Sequence, residues 1–127
     1  MKLLLLDTHI LLWWLKNDAC LNDVTRALIA DADNIIYISA ATTWEIAIKK
    51  SLGKLDAPDN IEKIIQIKGF DPLPISLSHG ETAGKLPDHH KDPFDRMLIA
   101  QAQIEGLSIV THDSRFKLYS VDVVWVK

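Results

Sequence analysis

Asp7, Glu45, Asp95 and Asp113 are the residues of this chain whose types and settings could do chemistry together. Asp7 ends the apolar run Leu3-Leu4-Leu5-Leu6, and Asp113 closes Ser108-Ile109-Val110-Thr111-His112. Both runs read as strands buried on two faces, because a parallel sheet covered on both sides demands near-continuous apolar side chains. In open α/β sheets, ligand sites lie beyond the carboxyl ends of such strands. A carboxylate placed there costs free energy unless a cation or a donor answers it. Several carboxylates suit a hard divalent ion such as Mg2+ or Mn2+. The chemistry to expect is hydrolysis of a nucleic acid phosphodiester, in which such an ion activates water and stabilises charge on the attacking and leaving oxygens.

Each acid also has a structural reading. Asp92 and Asp95 open a helix at Pro93, where an acid favours the positive end of the helix dipole and can close a capping box. Asp95, however, shares a face with the apolar residues Leu98, Ile99 and Ala102, which turns it toward the core rather than solvent. Glu45 lies inside a helix among Ala41, Trp44, Ile48 and Leu52, where no cap explains it. Lys49, one turn on, is an available partner, but such a pair contributes only about 0.2 to 0.5 kcal/mol on an exposed helix. Asp7 and Asp113 could each cap the helix or turn next to them in the chain. A structural reading needs a separate reason for every acid, whereas one bound cation accounts for all four.

The other polar residues carry weaker signals. Lys49, Lys50, Lys54 and Arg96 could contact a phosphate backbone, and the alternative is a solvated helix face. His89, His90 and His112 lie near the expected rim and could touch phosphate or tune an acid. His9 is expected to pack within the first helix and His79 to lie on the surface. There is no HExxH helix or paired-cysteine motif, so no zinc site is indicated.

The elements that must position these residues alternate between strand and helix, which predicts an α/β sandwich with a central, mainly parallel sheet. Helices are expected over residues 8–16, 22–32 and 41–52, the last ended by Gly53. Asp59-Asn60-Ile61-Glu62 has the form of a helix start with a reciprocal acidic cap. Strands are expected over residues 3–6, 35–39, 108–111 and 121–126. Pro72-Leu73-Pro74-Ile75 reads as an edge strand or extended connection, since proline cannot donate to a ladder. A short helix over 78–85, a polar loop over 86–92 and a long helix from Pro93 to Glu105 complete the chain.

The 127 residues, 48% of them hydrophobic, fit one domain spanning 1–127. A net charge of -3 argues against a generally basic coat, so any nucleic acid contact must be local. The single cysteine, Cys20, gives no reason to expect an oxidising compartment. Asp7 and His9 interrupt the apolar amino terminus, which reads as neither a signal peptide nor a membrane span, and the expected location is cytoplasmic.

Taken together these motifs resemble the PIN domain, and within it the VapC-type ribonuclease toxins of toxin-antitoxin systems. The resemblance covers essentially the whole chain. It rests on Leu5-Leu6-Asp7-Thr8-His9 with Leu12-Trp13, on Ser39 through Trp44-Glu45-Ile46, on Asp92-Pro93-Phe94-Asp95-Arg96 with Leu98-Ile99-Ala100-Gln101-Ala102, and on Val110-Thr111-His112-Asp113. It implies a PIN-like three-layer sandwich and a Mg2+- or Mn2+-dependent endoribonuclease with Asp7, Glu45, Asp95 and Asp113 as metal-binding and catalytic acids. Thr111 and Asp92 would support the site. The resemblance also implies an RNA substrate, a homodimer and a small cognate antitoxin. Trp13, Trp14 and Trp44 are compatible with interfaces, although tryptophans on apolar helices more often belong to the core. Two rivals are a phosphoryl-transfer enzyme of the haloacid-dehalogenase type and a non-catalytic binding module on the same fold. Asp7-Thr8-His9 lacks the second aspartate that the first requires, and no GxGxxG follows the first strand to suggest a dinucleotide.

Overall fold

Leu4, Leu5 and Leu6 expose no surface, and they alternate between two apolar layers. They form strand β1 (Leu3–Leu6) in the computed structural model, which describes residues 1–127. Leu4 and Leu6 join Ile10, Leu11, Ile29, Ile36, Ile38, Ile46, Ile65 and Val110 in one layer. Leu5 joins Leu98, Ile99, Ala102, Ile109 and Phe116 in the other. This two-sided burial follows from the period of two along a strand and explains why the strand is leucine throughout. Each fully buried leucine contributes roughly 1.5 to 3 kcal/mol of apolar burial.

The remaining strands are β2 (Ile35–Ser39), β3 (Asp71–Leu73), β4 (Ser108–Thr111) and β5 (Asp122–Trp125). The five form one sheet in the order β3-β2-β1-β4-β5, with every neighbouring pair parallel. The chain runs outward from β1 to β3 on one side, then returns to place β4 on the other side of β1. That reversal makes the carboxyl ends of β1 and β4 the crevice of the sheet. Leu6 pairs with Val110, so the next residue of each strand, Asp7 and Thr111, are set side by side at that crevice.

Six helices cover the two faces: α1 (Thr8–Lys16), α2 (Asp23–Ala30), α3 (Ala40–Ser51), α4 (Ile61–Ile67), α5 (Leu77–Lys85) and α6 (Pro93–Glu105). A 3-10 turn spans Ser114–Leu118. Their starts follow capping chemistry: the side chains of Asp7, Asn22, Ser39, Ser76 and Asp92 each accept a backbone N–H at the start of the helix they precede. Gly106 closes α6 in the left-handed conformation with φ 69°. No helix is long and apolar enough to cross a membrane.

Three local expectations are corrected. Asn60 precedes α4 in the left-handed conformation with φ 62° and makes no side-chain cap. The reciprocal acidic cap is absent, and Asp59 instead pairs with Lys50. His79 is buried rather than on the surface, because its Nδ1 accepts the Ser76 N–H at 3.0 Å while Ser76 Oγ accepts the His79 N–H at 3.1 Å. Imidazole here takes the part usually played by glutamate in a capping box. Trp44 is 60% exposed, so the core reading does not apply to it, while Trp13 and Trp14 are half-buried against the first apolar layer.

Arg96 also differs from expectation, since its guanidinium is committed to backbone. Nη1 donates to the carbonyls of Pro87 and His90 at 3.1 and 3.0 Å, and Nη2 donates to those of Ala83 and Leu86 at 2.8 and 3.0 Å. From the other side, the Tyr119 hydroxyl accepts the His89 and His90 N–H groups and donates to the Pro87 carbonyl. The loop between α5 and α6 is thus pinned twice. Arg96→Ala is expected to lower stability by about 3 kcal/mol in urea denaturation, with little recovery in Arg96→Lys, because an ammonium cannot reproduce the planar fork.

Candidate metal and catalytic site

Asp7, Glu45, Asp95 and Asp113, carried on four separate segments, line a single cavity of about 140 Å³ together with Thr8, His9, Lys49, Asp92 and Arg115. No hydrophobic residue lines it. The fold explains each placement. Asp7 follows β1 and caps α1, and Asp113 lies two residues past β4 at the start of the 3-10 turn. Glu45 sits in the second turn of α3, which leaves the sheet directly from β2, and Asp95 lies in the first turn of α6.

Asp7 is held from two directions. Its Oδ1 accepts the Ile10 N–H at 2.9 Å, and its Oδ2 accepts the Thr111 hydroxyl at 2.5 Å. Burial raises the Asp7 pKa above the usual carboxylate range, against the lowering effect of those two donors. Glu45 is also buried, its Oε1 accepting from Thr8 Oγ1 and its Oε2 from Lys49 Nζ, each at 2.5 Å. The Glu45–Lys49 ion pair, weighed above as the structural alternative for Glu45, is therefore formed, and it raises the Lys49 pKa. Lys49 is at the cavity wall, but its ammonium is already engaged by a carboxylate.

Asp95 shows the electrostatic conflict most clearly. Burial, followed by the charges of Asp92, Asp7, Glu45 and Asp113, pushes its pKa up to about 8. Asp113 moves the other way, because the Arg115 side chain donates to both of its oxygens and holds its pKa below the ordinary range. Asp92 accepts the Phe94 and Asp95 N–H groups, so it fixes the start of α6 beside the cavity. Arg96, absent from the lining, stabilises the neighbouring loop instead.

Two neighbours of the acids carry little or no signal in the sequence beyond their place near the rim. Arg115 is one, and its place two residues after Asp113 is the only available signal. His90 is the other: its ring is buried, and Nε2 lies 2.8 Å from Asp95 Oδ2 and 3.2 Å from Asp113 Oδ2. These approaches are close but not aligned as hydrogen bonds. Nδ1 accepts the Asp92 N–H at 3.3 Å, which leaves the ring proton on Nε2, facing the carboxylates. Nothing in the sequence separates His90 from the exposed His89, because only the Tyr119 and Arg96 contacts turn one inward and the other out.

This donor set fits a hard divalent cation. Four carboxylates line one cavity without apolar neighbours, and burial together with the surrounding negative charges raises the Asp95 pKa, a conflict that a cation would relieve. His90, Asp95 and Asp113 bring ligand atoms within 4.8 Å of one another, close enough to share one ion, and Asp7 and Glu45 line the same cavity, where the Thr111 hydroxyl holds Asp7. Thr111→Val preserves shape but removes the hydroxyl, and it is expected to weaken Mn2+ affinity by roughly 10- to 100-fold in calorimetric titration.

The chain is a parallel α/β sandwich with an acidic cavity at its topological crevice, and sequence comparison gives its family. The PIN domain model matches residues 4–121, and the chain belongs to the PIN domain family. Ribonuclease VapC16 of Mycobacterium tuberculosis is 39% identical over 61 residues. That match covers 46% of this chain and 43% of the relative's length, so the chain matches less than half of that protein. Among solved structures, DNA-bound VapBC from Salmonella typhimurium aligns with a TM-score of 0.69 at 16% identity, covering 100% of both chains. VapBC2 from Rickettsia felis, bound to a promoter DNA fragment, aligns at 0.68 and 16% identity over 99% of this chain and 100% of that one. A toxin-antitoxin complex from Klebsiella pneumoniae aligns at 0.67 and 21% identity, covering 97% of each chain. At these identities the structural likeness establishes the fold.

Proposed function

We propose that this chain is a metal-dependent endoribonuclease and the toxin component of a cytoplasmic toxin-antitoxin pair, with Mg2+ or Mn2+ as its cofactor. The observation that carries this reading is the convergence of Asp7, Glu45, Asp95 and Asp113 in one cavity without apolar lining, on a PIN domain. A bound divalent cation would lower the pKa of a coordinated water and stabilise charge on the attacking and leaving oxygens of a phosphodiester. The protein's part is geometric and electrostatic. Thr111 and the Ile10 amide orient the Asp7 carboxylate, Thr8 and Lys49 orient Glu45, and Arg115 keeps Asp113 ionised. Lys49 and Arg115 add positive charge at the wall of the cavity, where an RNA backbone must approach. The VapBC and toxin-antitoxin complexes among the fold's neighbours support a small antitoxin partner for this chain, and a homodimer is the assembly that the sequence resemblance implies.

The phosphoryl-transfer alternative is poorly served, because both oxygens of Asp7 accept hydrogen bonds and no second aspartate stands two residues on. The test is an RNA cleavage assay with Mg2+ or Mn2+ and with chelator. Cleavage that appears with metal and stops on chelation is the expected result. Persistent cleavage in chelator would contradict the reading. Mn2+ binding without cleavage of any RNA would favour the non-catalytic module.

A further inference from the structure

A second cavity, of about 370 Å³, opens against the acidic one and is lined by Asp7, His9, Trp13, His112 and Asp113. Asp7, His9 and Asp113 belong to both, so the two are compartments of one cleft. Their chemistry differs: the first has no hydrophobic lining, whereas three of the five residues lining the second carry aromatic rings. His9 and Trp13 stand one turn apart on α1 and face the same way, with ring centroids 6.3 Å apart. His112, beyond the end of β4, meets Trp13 edge-on at 5.4 Å. His9 is exposed, contrary to the expectation that it packs within the helix, and His112 is exposed too. The Trp13 indole forms a half-buried wall between them.

We infer that this compartment is a nucleobase subsite, which seats an unpaired base of RNA beside the scissile phosphate and contributes to the choice of cleavage position. The inference rests on the ribonuclease reading and deepens it. A phosphodiester with its flanking nucleosides needs a polar, cation-holding compartment for the phosphate and a ring-lined one for the base, and the cleft supplies both in contact. Proteins that select single-stranded RNA do so by stacking unpaired bases on aromatic side chains and reading their edges. His112 adds an edge contact: its Nδ1 lies 2.7 Å from the Val126 carbonyl, which can only accept, so Nδ1 donates there and Nε2 of the neutral ring is an acceptor. A purely apolar protein side chain is a poor occupant, because it would desolvate the partly exposed Asp113 carboxylate that lines the compartment. A base carries polar edges that can face a carboxylate, and its phosphate would lie in the neighbouring compartment, where a cation would stand between it and the acids.

The test uses a quenched fluorescent RNA oligomer with Mn2+, and the same oligomer with abasic substitutions flanking the cut. His9→Ala is the primary variant, since His9 is exposed and its loss leaves the core intact, and Trp13→Leu is the second. Each is expected to raise KM by about 10-fold with kcat within about 3-fold, and this penalty should vanish on the oligomer that lacks the base concerned. Unchanged KM in His9→Ala and folded Trp13→Leu, or equal KM of the wild type for intact and abasic oligomers, would overturn the inference. If the wild type cleaves no RNA, the ribonuclease reading fails separately, and the subsite is then judged by NMR with the four ribonucleoside 5'-monophosphates. Selective shifts of the Trp13 indole and His112 ring signals would support it, and none with any nucleotide would sink it.

Discussion

Asp7→Asn is expected to reduce RNA cleavage by about three orders of magnitude while leaving thermal stability equal to or above that of the wild type. The second half of the expectation gives the first its meaning. Asparagine keeps an oxygen to accept the Ile10 N–H, so α1 remains capped, and its amide can face the Thr111 hydroxyl, which reverses to accept. It also removes a buried carboxylate whose pKa is raised by desolvation, and with it an unfavourable charge in the metal-free protein. A residue kept for the fold would lose stability on substitution. One kept for a cation should lose activity and metal affinity alone, and cleavage assays paired with thermal denaturation in chelator separate the two.

Asp95→Asn is expected to produce the largest change in the dependence of stability on pH. In the folded, metal-free protein Asp95 titrates at about 8, against an ordinary value of 3.8. Between those values the folded chain holds a proton that the unfolded chain has released. Stability therefore falls as pH rises through this window, by on the order of a few kcal/mol. Asp7, whose pKa is also raised, acts in the same direction. Asp113, held below its ordinary range by Arg115, contributes stability that is lost only as pH falls below that window. The substitution should remove most of the slope and make the metal-free protein more stable than the wild type at pH 8. Mn2+ should stabilise the wild type more at pH 8 than at pH 5, because at the lower pH the ion must displace a proton, and it should stabilise the variant little at either. Urea denaturation at the two pH values, with chelator and with Mn2+, provides the comparison. Identical slopes for wild type and variant would show that Asp95 does not carry the conflict.

The residues that can be read from local patterns are those whose environment is set by near neighbours. Leu3 to Leu6 declare a strand buried on both faces, and a parallel sheet then sets Asp7 at its carboxyl end beside Thr111. Asp92-Pro93 and Gly106 mark the two ends of α6 through capping and backbone chemistry. Where a side chain's partner lies far along the chain, composition carries no trace of it. His90 turns inward because Tyr119 and Arg96 clamp its backbone, contacts that depend on how the loop folds over the sheet. Arg96 looks like a phosphate ligand until its four carbonyl acceptors are in place. His9 departs from expectation for a related reason. Helical periodicity puts it beside buried residues of α1, but only the position of β4 decides that its side of the helix opens onto a cleft.

The most direct test of the central claim is an anomalous diffraction map from crystals of this protein soaked in Mn2+. An ion within coordination distance of carboxylate oxygens from both Asp7 and Asp95, about 2.0 to 2.3 Å, is the predicted result. A fully occupied ion held elsewhere on the surface, with the cavity between these two residues free of metal at a concentration that supports RNA cleavage, would contradict it.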